Sequence, residues 1–412
     1  MRTVRRLAVL SLLSLLFPAA ARAATLYKIQ AIVKLGDKVG NPPIHTATGL
    51  WVGSLNDAGQ IAFVTGNSTG GPVLFRYAGG QFLPVVAAGQ NSPVGRWPVP
   101  MVLWSPISMN QSGSIVFSLL DHDAGTPLGT FIWDAKTQQV TAVALQGMPA
   151  GSTVTLLDGG GPSPAINDQN EIAYVADVKN GAGETQSGVF FLGRDGSVQP
   201  VALPDQALPD AIFAQNASHP SVNNTGAVAF LATRKGDTAS SAYLWENGQL
   251  RPVLIAGSIA PDGGKVAAVW GAWVNNKNHN VLIEASIKTV TAAHSLFLFD
   301  GSSLTGVAVA GTALPDGVTL TAVDGGVSSA NDAGQHVFVA TRGDKTSAAY
   351  LVDADGKLTL LLQSGATTAL GVLARVGEAS TLGVSLNNRG QIAIVVRFVG
   401  ARSSTLVLLT PQ

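Results

Sequence analysis

The sequence contains no cysteine and little charge, and both absences restrict what the protein can be. Without cysteine the chain has no disulfide, no thiolate metal site and no cysteine-linked lipid. Only 12% of its 412 residues are charged, whereas 46% are hydrophobic. Disordered chains have the opposite balance, because high charge and low hydrophobicity prevent burial. We therefore expect a folded protein with an extensive apolar interior.

Apolar stripes with helical spacing are also missing. No segment repeats apolar residues every 3.6 positions for three turns. Instead, 47 glycines separate short apolar runs, which is typical of buried strands joined by tight turns. A chain of this length exceeds what one compact core usually serves. The sequence thus predicts either several domains or an array of repeats.

Residues 1–23 are predicted to be a signal peptide. The apolar run is too short to span a bilayer as a mature helix, and cleavage is expected before Ala24. We therefore expect an extracytoplasmic protein, periplasmic or secreted, with the twin-arginine route as an alternative to general secretion. The segments that carry this prediction are the basic end at Arg2, Arg5 and Arg6, the run from Leu7 to Phe17, and the small residues Ala21 and Ala23.

The mature chain has no excess of basic residues. Cleavage removes four of the 25 basic residues and none of the 25 acidic ones, leaving a net charge of −4. A protein without a basic stripe is a poor nucleic-acid binder, and the C-terminal end has no apolar tail. We expect no nucleic-acid partner, no membrane attachment after signal cleavage, no cofactor, and a monomer.

One unit of about 56 residues occurs seven times. Each copy is anchored by an asparagine, followed three residues later by glycine or asparagine, the residues that adopt a left-handed backbone most cheaply. Five copies also carry a serine two residues before the anchor. We interpret the repeated Asn and Ser as turn-forming residues that bond their own backbone. The anchors are Asn56, Asn110, Asn167, Asn223, Asn275, Asn331 and Asn387.

Each turn leads into a strand that is apolar on both faces, such as Ile61-Ala62-Phe63, as expected between two packed layers. A second strand ends in a hairpin such as Asn247-Gly248, a third returns, and a fourth segment leads to the next anchor. Four strands in each of seven units predict an all-β fold. We expect a seven-bladed β-propeller of four-stranded antiparallel blades as a single domain over residues 24–412.

The two ends of the chain carry complementary parts of a unit. Tyr27 to Gly36 has the pattern of a third strand, and Ile44 to Asn56 has that of a fourth segment. The last unit stops after its second strand, Thr405 to Leu409. We therefore predict that strands from both termini close the ring, with two strands from each end in one blade and no open edge at the seam.

The unit, of the form Asn-x-x-Gly-x-Ile/Val-Ala-Phe, resembles the repeat of a group of uncharacterised secreted bacterial tandem-repeat proteins with an N-x-x-G-x-V-A-F core. The resemblance covers nearly the whole mature chain and implies export and a propeller-like fold, but no activity. Units five and six depart from it at Asn280 and His336, which replace the apolar residue after the turn. The turn is also similar to the Asp-box hairpins of sialidase propellers, but its spacing differs and no sialidase chemistry is transferred.

Residues in which one unit differs from the others are the better candidates for function. Indole rings exposed at a groove can stack on sugars, and the alternative is that they fill space between blades. Trp51 and Trp270 stand five residues before their anchors, and Trp104 and Trp273 lie in the same kind of segment. We select these four tryptophans as candidate binding residues.

A charged loop after the first strand of unit two is a further candidate. Asp121, His122 and Asp123 have the chemistry for metal ligation or proton transfer. The alternative is an ordinary surface loop, because neighbouring strand residues point to opposite sides. His279 and His336 belong to adjoining units and can meet across a blade boundary, without a third ligand.

No catalytic or metal-binding set is recognisable. A Gly-x-Ser-x-Gly nucleophile motif is missing. The acids Glu171, Glu284 and Glu378 stand alone in the sequence, so no pair of glycosidase carboxylates can be assigned.

Three functions remain open, because propellers host all of them. We favour a non-enzymatic module that binds a glycan, a peptide or an envelope partner on one face of the ring. The alternatives are a polysaccharide hydrolase or lyase with acids at the channel mouth, and a structural module. Paired buried acids at the mouth would indicate the enzyme, and a tryptophan-lined face without them would indicate binding.

Overall fold

The computed structural model describes residues 27–67, 71–152, 154–207, 213–277, 279–288, 293–377 and 383–412. Within these ranges the regular elements are β-strands and there is no helix, which confirms the all-β prediction. Accordingly, the described chain has no helix long and apolar enough to cross a membrane. The predicted signal peptide and Glu378 lie outside the described residues.

Seven antiparallel sheets form the blades of a propeller, and each has four principal positions from the axis outward. In that order the strands are: blade 1, Ile44–Leu55, Ile61–Asn67, Pro72–Ala78 and Gln81–Ala87; blade 2, Met101–Met109, Ile115–Asp121, Thr126–Trp133 and Val140–Ala144; blade 3, Ala165–Ile166, Ile172–Lys179, Thr185–Leu192 and Val198–Ala202; blade 4, Phe213–Val222, Val228–Arg234, Ser240–Glu246 and Gln249–Leu254. The series continues with: blade 5, Lys265–Val274, Val281–Lys288, Ala293–Phe299 and Leu304–Ala308; blade 6, Leu320–Ala330, His336–Arg342, Ser347–Val352 and Leu358–Gln363; blade 7, Gly371–Val376 with Val384–Leu386, then Ile392–Phe398, Ser404–Pro411 and Tyr27–Lys34.

Additional short strands lie in the crossings between blades. They are Lys38–Val39 beside Ile44–Leu55, the hairpin of Asn91–Ser92 with Gly95–Arg96, the hairpin of Pro149–Ala150 with Val154–Thr155, and Thr367–Thr368 beside Gly371–Val376.

A hydrophobic cluster lies between every two neighbouring blades, seven in all around the ring. The cluster that closes the ring joins Phe63 and Phe75 of blade 1 to Val395 and Leu406 of blade 7. Both faces of the second strand in a blade are therefore buried, because a cluster lies on each side of it. This explains why the strand after the turn is apolar on both faces in most units.

The anchoring asparagines form the turns and also join the blades. Asn56 Oδ1 accepts the N–H groups of Ala58 and Gln60 at 3.1 and 3.0 Å, and Gly59 is left-handed at φ +74°. The Asn56 side-chain amide meanwhile donates to the carbonyl of Asn110 in the next blade at 3.3 Å. The same bond recurs from Asn110 to Asn167, Asn167 to Asn223, Asn223 to Asn275, Asn331 to Asn387 and Asn387 to Asn56. The turn-forming role is confirmed, and the link between blades is an addition to it.

A second ring of hydrogen bonds runs through the residue that follows each anchor. Its backbone N–H donates to a side-chain oxygen of the corresponding residue in the next blade, at 2.7 to 3.0 Å. All seven bonds of this ring are formed, so it is continuous around the axis. They run from Asp57 to Gln111, Asp168, Asn224, Asn276, Asp332, Asn388 and back to Asp57.

The repeated serines have a different role from the predicted one. Ser54 Oγ accepts the N–H of Met109 at 3.1 Å, and Ser385 Oγ accepts the N–H of Leu55 at 2.9 Å. Ser108, Ser221 and Ser329 make the same contact with the following blade. The interpretation as turn-formers is therefore wrong for serine, because its hydroxyl bonds the neighbouring blade and not its own turn.

The ring is closed by both termini, as predicted, but with a different division of strands. Tyr27–Lys34 pairs with Ser404–Pro411 as the outer strand of blade 7. Ile44–Leu55, which we assigned to the same blade, instead pairs with Ile61–Asn67 as the inner strand of blade 1. The reason is that the asparagine turn is a tight hairpin, so the segments on its two sides must pair with each other. Three positions of blade 7 thus come from the C-terminal part and one from the N-terminal part.

Alignment of unit five with the other units requires a gap of one residue, which the prediction did not include. Asn275 N–H donates to the carbonyl of Asn280, whereas Asn56 N–H donates to that of Gln60, so this turn is one residue longer. Val281 therefore takes the buried position that we gave to Asn280. Asn278, which we placed at the left-handed position, lies outside the described residues.

Candidate functional site

The propeller has two different ends. Inner strands run toward the asparagine turns, which lie at one end with the Asn/Asp-Gly hairpins. We call this the turn face. Blade-to-blade crossings and the hairpins between second and third strands lie at the other end, the loop face. In the described chain, the seven most exposed large hydrophobic residues all lie toward the loop face: Val94, Val99, Ile259, Trp270, Leu370, Val372 and Val399.

The central channel is a cavity of about 260 Å³ bounded by the inner segments of all seven blades. Its wall is formed mainly by small, proline and serine residues, with Trp273 projecting from blade 5 in place of the repeated serine. Asp and Glu do not occur among the lining residues that the structure describes. In its described part, the channel wall therefore lacks the paired acids that would indicate a glycosidase.

Carboxylates do occur at the turn-face mouth, but they belong to the ring of hydrogen bonds. Asp57, Asp168 and Asp332 each accept a backbone N–H from a neighbouring blade. The Asn388 amide lies between Asp57 Oδ2 and Asp332 Oδ2, at 3.2 and 3.1 Å. In the described ranges, no three His, Cys, Asp or Glu side chains converge as metal ligands. We assign these acids to the scaffold.

Trp270 is an exposed aromatic side chain on the loop face. It lies in a β-bulge of the blade 5 inner strand, where the pairing register shifts between Val269 and Gly271. Bulges redirect side chains, and Trp270 is 52% exposed. Nevertheless its orientation is fixed, because Nε1–H donates to Ser286 Oγ at 3.1 Å and the ring stacks on His294 at 5.4 Å and 20°.

The stacked histidine is itself held by a buried acid. His294 Nδ1 lies 2.7 Å from Glu284 Oε1, and Glu284 has no exposed surface. A carboxylate at Nδ1 fixes the imidazole in the tautomer with the proton there. Nε2 of His294 then has no partner within the described part of the chain. We call Trp270, Ser286, His294 and Glu284 together the Trp270 platform.

The platform contains the residue types of a serine triad, but they are not connected as one. Ser286 Oγ accepts from Trp270 and contacts the Ala268 carbonyl at 3.4 Å. A triad needs the hydroxyl on the imidazole nitrogen that faces away from the acid. The geometry thus supplies a rigid aromatic surface flanked by an oriented imidazole, without an activated nucleophile.

A second histidine lies near the platform on the inner strand of blade 4. His219 has a left-handed backbone at φ +50°, and its Nδ1 is buried without a partner among the described residues. Burial lowers the pKa of His219, and the charge of nearby Glu284 opposes this. The imidazole is therefore neutral near pH 7.

The other candidate tryptophans are less available than Trp270. Trp51 is half-buried, packs against the cluster between blades 1 and 2, and covers Gly49 so closely that a Cβ would not fit there. Trp273 covers Gly271 in the same way and packs between blades 5 and 6 at the channel. Trp104 lies in Met101–Met109, but its side chain is outside the described part of the structure. Trp51 in blade 1 therefore does not share a surface with Trp270 and Trp273 in blade 5.

Asp121, His122 and Asp123 form an exposed hairpin. Asp121 Oδ1 accepts the N–H groups of Asp123 and Ala124, both at 3.0 Å. The His122 imidazole lies 3.1 Å from Asp123 and is 61% exposed. The acids therefore serve the turn, and the segment lies apart from the Trp270 platform.

His279 and His336 have different surroundings. His279 contacts Glu246 through Nδ1 and lies 3.3 Å from Thr225 through Nε2. The Thr225 hydroxyl donates to Asn223, so it is not activated by the imidazole. His336 is 3% exposed in the core of blade 6, and burial lowers its pKa to about 4. Its Nδ1 lacks a partner in the described chain. The predicted pair of histidines does not form.

Two acids in blade 3 do meet. Asp177 N–H donates to Asp158 Oδ1 at 3.0 Å, and the two carboxyl groups are within hydrogen-bonding reach of each other. Burial raises the pKa of Asp158, and the charge of Asp177 adds to this. Retaining glycosidases separate their carboxyl groups by about 5 Å, so direct contact fits proton sharing better than glycoside cleavage.

The sequence did not reveal His294, Ser286 or the Asp158–Asp177 pair. A signal for the platform was present in Glu284, which occupies a strand position taken elsewhere by Val or Leu and once by serine. The equivalent residues are Val64, Ser118, Val175, Leu231, Val339 and Val395. The extra residue in the turn of unit five concealed this exception.

Comparison with known proteins places the chain in a family. The model of a family of unknown function, DUF7453, matches residues 27–289 and again residues 223–407. The chain belongs to this family. The two matches overlap as expected for a repeated unit, and together they span almost all of the described residues. No curated protein matches the sequence.

Solved structures confirm the propeller architecture. A puromycin hydrolase is 13% identical with a TM-score of 0.53, over 88% of this chain and 52% of its own. A Mycobacterium tuberculosis puromycin-hydrolyzing peptidase is 11% identical with a TM-score of 0.52, over 92% of this chain and 54% of its own. This chain thus spans about half the length of both. An oligogalacturonate lyase from Vibrio parahaemolyticus is 9% identical with a TM-score of 0.50, over 93% of this chain and 97% of its own. At such identities the likeness shows the fold alone.

Proposed function

We propose that this protein is an exported, non-enzymatic propeller that binds a glycan on its loop face, with Trp270 as the stacking surface. The observation that carries the proposal is an aromatic ring that is 52% exposed yet held by a hydrogen bond to Ser286 and a stack on His294. An aromatic side chain fixed before binding loses little conformational entropy when a ligand covers it. Such a ring is suited to the apolar face of a sugar.

The remaining surface supports the same face. The exposed hydrophobic residues of the described chain lie at the loop end, while the turn face presents polar turns and a closed ring of hydrogen bonds. Polar groups that are hydrogen-bonded within this ring cannot bind a ligand unless those bonds between blades break. The loop face is therefore the free binding surface.

The described residues include no activated nucleophile, which favours binding over hydrolysis. Ser286 is bonded to Trp270 and Ala268, and Thr225 donates to Asn223. The contacting acids Asp158 and Asp177 are in blade 3, away from the platform in blade 5.

A glycan array probed with the mature protein from Ala24 tests the proposal. We expect binding that Trp270→Ala abolishes while the protein stays folded, with a cooperative thermal unfolding transition. Val399→Ala is the matched control, because Val399 is 65% exposed on the same face but belongs to blade 7. Unchanged binding by Trp270→Ala, or equal loss in both variants, would refute the role of Trp270. Trp51 is unsuited to this test because it packs against the core.

A further inference from the structure

Two lysines lie opposite each other next to the Trp270 platform, on its loop-face side. Lys265 and Lys288 are directly opposite in the antiparallel pairing of the first two strands of blade 5, at the loop-face end. Both side chains are exposed, and no ion pair involves either of them in the described part of the chain. Like charges directly opposite on a sheet destabilise it, so the pair costs stability without serving the fold.

The lysine pair lies on the same side of the sheet as the platform. Lys288 stands two residues beyond Ser286 and four beyond Glu284, and side chains at alternate positions of a strand share a side. Lys265 shares that side as its direct cross-strand partner. With about 3.3 Å per residue, the lysine position is about 7 Å along the strand from Ser286, which anchors the Trp270 indole.

We infer that the ligand is an acidic glycan, in which a uronic acid ring stacks on Trp270 and its carboxylate pairs with Lys265 and Lys288. This inference rests on the proposed function and specifies its ligand. An anion between two unpaired ammonium groups removes their repulsion and gains two charge-assisted bonds. The neighbouring acid of the platform does not compete, since Glu284 is fully buried and bonded to His294.

The test compares charged and neutral forms of the same sugars. Oligogalacturonate, oligoguluronate and oligoglucuronate are each titrated against the mature protein beside their methyl esters, which keep the ring but lose the charge. We expect at least one acid to bind about tenfold more tightly than its ester, as two partly exposed ion pairs allow. That preference should vanish in Lys265→Gln/Lys288→Gln and persist in Lys357→Gln, a control lysine on the turn face.

Failure of the inference and failure of the proposed function are distinguishable. If esters bind as tightly as acids and Trp270→Ala abolishes both, the acidic ligand is refuted while glycan binding stands. If no glycan binds on the array, both are refuted. Unfolding of the ligand-free protein gives an independent readout: the double lysine variant should be at least as stable as wild type, and a clear loss of stability would show that the lysines serve the fold.

Discussion

The side-chain amide of Asn387 donates to the carbonyl of Asn56 at 2.9 Å, across 331 residues of sequence. Both residues are almost fully buried, and the bond joins the last blade to the first. The same amide also bonds Gln391 within its own turn at 2.9 Å. One side chain therefore determines a local turn and also helps to close the whole ring.

Asn387 variants separate these two roles. Asn387→Ala leaves the Arg389 and Gln391 N–H groups without their acceptor. It also removes the donor from blade 7 to the Asn56 carbonyl, which keeps only the Gly59 N–H of its own turn. Together these losses should cost about 3 kcal/mol of unfolding free energy. Asn387→Asp keeps an acceptor for the turn but loses the donor to Asn56. Urea unfolding should place it between wild type and Asn387→Ala.

Asn180 is the matched control for that comparison. It builds a turn of the same form, accepting the Ala182 and Glu184 N–H groups at 3.0 and 2.8 Å, in the exposed hairpin of blade 3. Asn180→Ala should cost about 1 kcal/mol or less, because its groups remain in water. Equal losses at Asn180 and Asn387 would contradict the link between blades.

Pairing between the N-terminal and C-terminal strands of blade 7 predicts that an engineered disulfide between them will form and stabilise the protein. Lys28 and Thr410 are direct partners where the N-terminal strand completes blade 7, and the protein has no native cysteine to interfere. Oxidised Lys28→Cys/Thr410→Cys should gain about 2–4 kcal/mol through constraint of the unfolded chain, measured as a rise in unfolding temperature that reductant reverses. A cross-link that fails to form in the folded protein would show that the two strands are not neighbours.

His336 should make the protein sensitive to acid. Its pKa is lowered by burial from 6.5 to about 4, so the unfolded chain binds the proton more readily between these values. Stability is then complete above pH 6.5 and falls as the pH drops toward 4, by roughly 3 kcal/mol at most. His336→Ile, the residue type of four other units, should flatten stability measured by urea unfolding over that range. An unchanged pH profile would contradict the buried neutral imidazole.

Asp158 should show the opposite dependence. Burial and the charge of Asp177 raise its pKa, so the folded protein retains this proton to a higher pH than the unfolded chain does. Its contribution is present at acid pH and is lost as the pH rises through the raised pKa. Asp158→Asn should therefore raise the unfolding temperature at pH 7 but not at pH 3. A variant less stable than wild type at pH 7 would contradict the carboxyl contact.

The fold could be predicted because its chemistry is repeated. Seven asparagine anchors at nearly constant spacing, and the mainly apolar strands that follow them, define the blades before any contact is known. The division of strands at the seam could not be predicted with the same ease, since Ile44–Leu55 and Tyr27–Lys34 both have strand patterns and only pairing assigns them to different blades.

The candidate site was harder to predict because it is an exception to the repeat. Trp270 was selected from the sequence, but the bulge that exposes it depends on pairing between strands. Glu284 and His294 lie ten residues apart on neighbouring strands, and only the register brings them to 2.7 Å. Trp51 has the same spacing from its anchor as Trp270, yet it occupies a regular position opposite Val64 and is half-buried.

The most direct test of the central claim, ligand binding at Trp270, follows the indole N–H signals of the seven tryptophans by NMR. The mature protein, labelled with ¹⁵N-tryptophan and assigned by single substitutions, is titrated with the glycan that the array selects. The account predicts that the Trp270 signal shifts most, while those of the packed residues Trp51 and Trp273 change little. A largest shift at another tryptophan, or no shift at Trp270 when the protein is saturated, would contradict it.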